Sequence, residues 1–342
     1  MLQNDDNKAK ESLSGHEQIK VVSIPASLFR NRALLLLFEQ LAIPILAWRC
    51  RVDAVHSLHY THPFFCPVPR IVTIHDLTFI LYPELHTWGR RLVMPFFLKR
   101  AMRHAEALIF VSQATRDDAE KLIASGGNIR AVVPLAVNSR ITIQATREAE
   151  KSSILSPIGS PFLLFLGTVE PRKNITRLVL AFEKIADKFS ELQLVIAGKA
   201  GWHYEETMQA IASSRYLSRI HTLGFVTDST KDILLGSCEM VIYPSLYEGF
   251  GLPVLEAMAA GAPVITGNIS SLPEVAGDAA LFIDPYSVDE MADAIENLML
   301  DGSKRDALRD AGLRQAAKFT WRNTAKLTQQ VYLNVFEKQS YV

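Results

Sequence analysis

Two carboxylates and a pair of adjacent cations are the side chains of this sequence best placed by type and spacing to do chemistry. The carboxylates belong to Pro244-Ser-Leu-Tyr-Glu248-Gly249-Phe250-Gly251-Leu252-Pro253-Val-Leu-Glu256-Ala-Met-Ala-Ala-Gly261. Glycines at 249 and 251 let the backbone approach a ligand closely with N–H groups free to donate, and Pro253 suits the first turn of a helix that ends at Gly261. The amino end of such a helix is partially positive and favours a phosphate. Glu248 falls in the loop and Glu256 on the helix, so they need not form a close catalytic pair. Each can accept hydrogen bonds from adjacent hydroxyls, as a sugar or a ribose presents them.

The cations stand in Gly167-Thr-Val-Glu-Pro-Arg172-Lys173-Asn174, between an apolar strand and a helix whose cap is expected at Asn174. Arg172 and Lys173 ahead of a positive helix end repel one another unless an anion is expected there, and a pyrophosphate fits. His75 follows the run Ile71–Ile74, at the carboxyl end of a strand where ligand-facing groups belong. Ser112 opens Ser112-Gln-Ala-Thr-Arg116, where capping a helix and touching a ligand are both open. There is no Asp-x-Asp to hold a metal-bound nucleotide sugar, no Gly-x-Gly-x-x-Gly after a strand, no Walker-type phosphate loop and no Gly-x-Ser-x-Gly elbow.

These residues need a scaffold, and the sequence supplies the pattern of a parallel sheet covered by helices. Strands are expected at Ile19–Ile24, Ala54–Ser57, Ile71–Ile74, Ala107–Val111 and Ala131–Val133, with helices between them. The alternation restarts with Phe162–Leu166, Leu192–Ala197, Ile220–Leu223, Met240–Tyr243, Val264–Thr266 and Ala280–Ile283. Glu148–Ser156, running into Pro157 and Gly159, reads as the linker. A helix after Asn174 places Ile175, Leu178, Val179, Phe182 and Ile185 on one face, and Ser287 with Glu290 resembles a capping box. The chain of 342 residues suits two such domains with a crevice between them.

Bulk properties narrow the partners. A formal net charge of +0 gives no reason to expect nucleic acid. Cys50, Cys66 and Cys238 form neither a disulfide framework nor a zinc site, which favours a reducing cytoplasmic setting. Met1–Glu17 lacks the apolar core of a signal peptide, and Ala33–Trp48 is too short and interrupted to span a membrane, reading instead as a buried or half-buried helix. Arg90, Arg91, Lys99, Arg100, Arg103 and His104 surround the run Leu92–Leu98, either as an ordinary solvated helix face or as a face resting on anionic headgroups at the inner side of the membrane.

Taken together, the motifs resemble those of the retaining family 4 glycosyltransferases of GT-B fold, from about Ala54 to Glu337. The resemblance implies an α/β architecture of two Rossmann-like doubly wound domains facing a central cleft. It places an N-terminal acceptor-side domain over 1–155, a nucleotide-sugar domain over 156–320 and a closing helix over 321–338 that crosses back to the first domain. The family's opening strand, glycine-rich turn and helix have no counterpart in Met1–Glu17, so the N-terminal sheet is expected to lack its first unit. Pro134–Asn138 also departs from the family's usual glycine, valine and aspartate.

By the same resemblance Glu248 contacts hydroxyls of the donor sugar and Glu256 the ribose. Arg172 and Lys173 neutralise the departing nucleoside diphosphate, and His75 points at the donor sugar. Gly167, Ser112, Gly249, Phe250, Gly251 and Leu252 fall to donor binding, and the backbone of Phe225 and Val226 meets the nucleobase. Glu274 matches the pattern with its role open between ligand and loop contact. No cofactor or metal is expected. The implied reaction moves a hexosyl group, mannosyl by overall similarity, from a nucleoside diphosphate sugar to a glycan or lipid-linked acceptor in surface polysaccharide or lipopolysaccharide assembly. Alternatives are a nucleotide-sugar epimerase on the same fold and a shortened, non-catalytic nucleotide-sugar-binding protein.

Overall fold

The computed structural model describes residues 32–123, 126–137 and 148–340. The expected strand Ile19–Ile24, and with it the question of a missing first unit, lies outside these residues. The described chain opens with α1 (Arg32–Arg49), β1 (Val55–Ser57), β2 (Arg70–Ile74), α2 (Thr78–Leu81), α3 (Trp88–His104), β3 (Ala107–Phe110), α4 (Gln113–Leu122) and β4 (Ile129–Val132). It continues through α5 (Glu148–Leu155), β5 (Phe162–Leu166), α6 (Ile175–Ile185), β6 (Gln193–Ala197), α7 (Glu205–Ala212), β7 (Ile220–Gly224), α8 (Asp228–Ser237) and β8 (Met240–Tyr243). The last elements are α9 (Leu252–Ala259), β9 (Val264–Gly267), α10 (Leu272–Ala276), β10 (Leu281–Ile283), α11 (Val288–Leu300), α12 (Gly302–Ala316) and α13 (Trp321–Ser340).

The strands form two all-parallel sheets, one in the order β1-β2-β3-β4 and the other β10-β9-β8-β5-β6-β7. Continuous apolar runs make this possible, because a parallel strand is covered on both faces. All five residues of β5 are buried, each contributing on the order of 1.5–3 kcal/mol by leaving water. β5 pairs with β6 on one side (Leu163 beside Leu194) and β8 on the other (Leu163 beside Met240), so the strand order reverses there. The carboxyl ends on either side of such a reversal leave a crevice. The apolar face of α6 packs into this core as its periodicity requires, and the Ser287 hydroxyl accepts from the Glu290 N–H at 3.1 Å.

Several elements depart from expectation. The segment read as a linker forms α5, because Ile154 and Leu155 pack against the C-terminal core and tertiary burial outweighs a polar local sequence. β4 starts two residues before the expected Ala131: Ile129 and Arg130 pair with Ala107 and Leu108, and the half-buried strand carries little apolar signal. α1 takes the half-buried of its two expected forms: Leu34, Leu37, Leu41, Ile45 and Trp48 are exposed, Leu35, Leu36, Phe38, Ala42 and Ile43 are half-buried, and Ala47 is buried. No helix among the described residues is long and apolar enough to cross a membrane. In the last helix, α13, Val331 and Val335 pack on Ile71, Ala107 and Ile109 of the N-terminal sheet.

Candidate active site

Loops at the carboxyl ends of both sheets enclose a cavity of about 890 Å³, within the usual range for a small-molecule site. The N-terminal domain contributes His75 and Asp76 after β2, Val111 after β3 and Leu135 after β4. The C-terminal domain contributes Gly167, Thr168, Glu170, Arg172 and Lys173 after β5, Lys199–Trp202 after β6, and Glu248–Pro253 with Glu256 after β8. The cavity thus brings together His75, Gly167, Arg172, Lys173, Glu248, Gly249, Phe250, Gly251, Leu252 and Glu256 from the candidate set.

Its charged centre lies at the strand-order reversal. Glu248, 8 % exposed, receives Lys173 Nζ at 2.5 Å, Ser245 Oγ at 2.6 Å and the Tyr243 hydroxyl at 2.9 Å, all on Oε1. Arg172 Nη1 lies 2.9 Å from the same oxygen, while Nη2 pairs with the buried Glu170 at 2.6 Å. Two cations are therefore already matched by two carboxylates, whereas the sequence suggested that an incoming anion was needed to relieve their repulsion. Burial alone pushes the Glu248 carboxyl up, but Lys173 and then Arg172 outweigh it and bring it down to about 2. On Lys173 burial acts the other way and holds the amine below its usual value despite Glu248. The number and shortness of the donors on Oε1 make ionised Glu248 the direction to rely on.

The flanking backbone fixes these groups. Asn174 adopts a left-handed conformation with φ 61° and does not cap α6 with its side chain as expected. Its Nδ2 instead donates to the carbonyls of Pro244 and Pro285, at 3.1 and 2.6 Å, tying the cation loop to the loop after β8. Gly251 starts α9 at φ 103°, a conformation that a side chain disfavours. Glu256, one turn into α9, holds Lys231 of α8 at 2.8 Å. Burial lowers the Lys231 amine and Glu256 more than offsets this, so its net shift is upward.

His75 Nε2 donates to the Leu58 carbonyl at 2.8 Å, which leaves Nδ1 as the nitrogen free to act as an acceptor. Gly249 meets this histidine from the opposite domain: a Cβ there would lie 1.8 Å from the His75 carbonyl oxygen. Close approach of the two domains therefore demands this glycine, beyond any need for ligand access.

Other expected contacts lie elsewhere. Ser112 is fully buried, accepts from the Thr115 N–H as the α4 cap and donates to the Gly249 carbonyl at 2.6 Å, so it faces protein and not the cavity. Phe225, 80 % exposed, and Val226, packed on the core, follow the edge strand β7 and do not line the cavity. Trp202, Asp76, Leu135 and Lys231 carried no motif signal. Trp202 lines the cavity with its ring 5.9 Å from that of His86 in the other domain. Among the described residues no group of three or more His, Cys, Asp or Glu is set to hold a metal ion.

Comparison with known proteins fits this geometry. Residues 146–315 match the family "Glycosyl transferases group 1" and residues 3–138 match "Glycosyltransferase Family 4". The O-antigen chain mannosyltransferase B of Escherichia coli is 30 % identical over 335 residues, covering 96 % of this chain and 86 % of that protein. Among solved structures, sucrose-phosphate synthase from Thermosynechococcus elongatus superposes with TM-score 0.75 at 20 % identity, over 94 % of this chain and 82 % of that one. Anabaena HepE, solved with UDP and glucose, gives TM-score 0.73 at 18 % identity, over 95 % and 88 % of the two chains. Two parallel α/β domains, a cleft at their carboxyl ends and these matches show that the chain is a glycosyltransferase of family 4 with the GT-B fold.

Proposed function

We propose that the protein transfers a mannosyl group from a nucleoside diphosphate sugar to a saccharide hydroxyl in surface-polysaccharide assembly, with retention of configuration and without a metal ion. The observation that carries this reading is the buried pairing of Lys173 and Arg172 with Glu248 in the cleft wall. The similarity to an O-antigen mannosyltransferase supports the sugar and the pathway class. An ammonium has three N–H donors, and Tyr243 and Glu248 take two of those of Lys173, leaving one for a phosphate oxygen in the cavity. As the bond from the sugar anomeric carbon to the leaving phosphate breaks, charge grows on the diphosphate beside both cations in a site of low dielectric. The acceptor oxygen bonds to the same face of that carbon and passes its proton to the leaving phosphate. No protein nucleophile is assigned.

The donor is placed with its ribose toward Glu256 and its sugar between Glu248 and His75. A panel of nucleotide sugars tests this by thermal shift and by turnover in the presence of a chelator. Guanosine diphosphate mannose is expected to stabilise the protein and to be consumed. Selective response to another donor, or loss of turnover with chelator, contradicts the assignment.

The N-terminal domain is further proposed to rest on anionic lipid, which would bring a lipid-linked acceptor to the cleft. Trp88, Leu92 and Phe96 form an exposed stripe on α3, and exposed Lys99 and Arg103 continue it. α3 contains no acidic residue. An apolar stripe with basic neighbours suits the boundary between headgroups and acyl chains.

A further inference from the structure

Glu274 lies in the C-terminal domain at the start of α10, yet its partners are in the other domain. Its Oε1 and Oε2 accept from the Gln113 N–H at 2.9 and 2.8 Å, and Oε2 is 3.3 Å from the Ala114 N–H. These N–H groups open α4 and have no partner within their own helix. The same first turn holds the loop that carries Glu248: Ser112 Oγ and Thr115 Oγ1 both donate to the Gly249 carbonyl, at 2.6 and 3.0 Å. Gly249 in turn lies against the His75 carbonyl. Glu274 and Gly249 therefore grip one helix end from two sides, with His75 and Glu248 on the cavity next to this grip.

We propose that Glu274 is a positioning residue of the transfer reaction: by seating its carboxylate on the amino end of α4 it holds the two domains closed, so that His75 and Glu248 face the same donor. This rests on the reading of the cleft as the transfer site. A carboxylate at a helix amino end gains from both the free N–H groups and the helix dipole. Glu274 is itself exposed, so it acts on the relative placement of the domains and contributes little to the folding of either. Donor affinity, set within the C-terminal domain, stays nearly constant when the contact is lost, while the rate of the chemical step falls with the fraction of closed molecules.

The test uses the full chain with Glu274→Ala, Glu274→Gln and Gln113→Pro. Proline suits the first helical position and removes the N–H without disturbing the turn, and Ser112 before it is already extended at φ −150° and ψ 160°. Small-angle X-ray scattering without ligand reads closure whether or not a donor is known. Glu274→Ala and Gln113→Pro are each expected to raise the radius of gyration, and Glu274→Gln, which keeps one acceptor oxygen, to fall between. In turnover each of the first two lowers kcat about tenfold, with the donor KM changing less than about twofold, and the double variant is no worse than either single one. Unchanged scattering and kcat in Glu274→Ala overturn the proposal, as do losses that simply multiply in the double variant. If no donor is turned over by the native protein, the scattering result still decides the closure claim and the failure belongs to the transfer reading.

Discussion

Lys173 and Glu248, 75 positions apart in the chain, meet at 2.5 Å between the loops that follow β5 and β8. These strands are neighbours at the reversal of strand order, so the topology of the C-terminal sheet creates the pair. Each side chain is the other's charge partner in a wall that excludes most water. Hydrogen bonds of Asn174, Tyr243 and Ser245 leave the pair little freedom to move.

Removing Lys173 leaves Glu248 with Arg172 as its remaining cation. Lys173→Met is expected to cost up to about 3 kcal/mol of folding stability, below the full penalty for an unpaired buried charge. Turnover falls by about 10²–10³ because charge on the leaving diphosphate loses a donor. Denaturant titration and a donor-consumption assay check the two effects, and stability equal to that of the native chain argues against the buried pair.

Acid weakens the same contact. The folded Glu248 carboxyl, brought down to about 2 from its ordinary value of 4.5, stays ionised where the unfolded chain already binds a proton. Its stabilisation is complete above the unfolded value and is lost as pH falls from about 4.5 toward about 2. Glu248→Gln is expected to remove this part of the slope of stability against pH. A slope unchanged by the substitution contradicts the shift.

Gly249→Ala places a methyl group 1.8 Å from the His75 carbonyl oxygen, too close for any backbone to tolerate without separation of the domains. Turnover is expected to fall by at least about 10²-fold. Binding of guanosine diphosphate to the C-terminal domain persists. Calorimetry alongside turnover separates these outcomes, and a fully active variant shows that closure of this kind is not required.

Much of this was legible in the sequence because the parallel sheet writes itself in short apolar runs: Phe162–Leu166 and Met240–Tyr243 fall where expected to the residue. The loops after them could be assigned to a cleft for the same reason. What could not be read were pairings between distant segments. Nothing local to Glu256 points to Lys231, and nothing near Glu274 points to Gln113. Ser112 stayed open between cap and ligand contact, and its bond to the Gly249 carbonyl could not be read, because a buried contact between domains uses the same small residues as a contact with a ligand. α5 was hidden by its polar composition, since its stability comes from Ile154 and Leu155 meeting a core assembled elsewhere in the chain.

Lipid contact through α3 is open to direct measurement. Sedimentation with vesicles containing phosphatidylglycerol is expected to retain the native chain and to release Leu92→Glu and Phe96→Glu variants, with retention falling as salt rises. Equal retention on neutral phosphatidylcholine, or none on either, contradicts a basic, apolar docking face.

The central claim is that the C-terminal cleft wall grips a diphosphate-linked sugar, and a crystal structure with guanosine diphosphate bound tests it most directly. The terminal phosphate is expected within about 3 Å of Lys173 Nζ, with the ribose hydroxyls on Glu256. A diphosphate lodged away from Lys173 and Arg172, or reaching them only through a bound divalent ion, contradicts it.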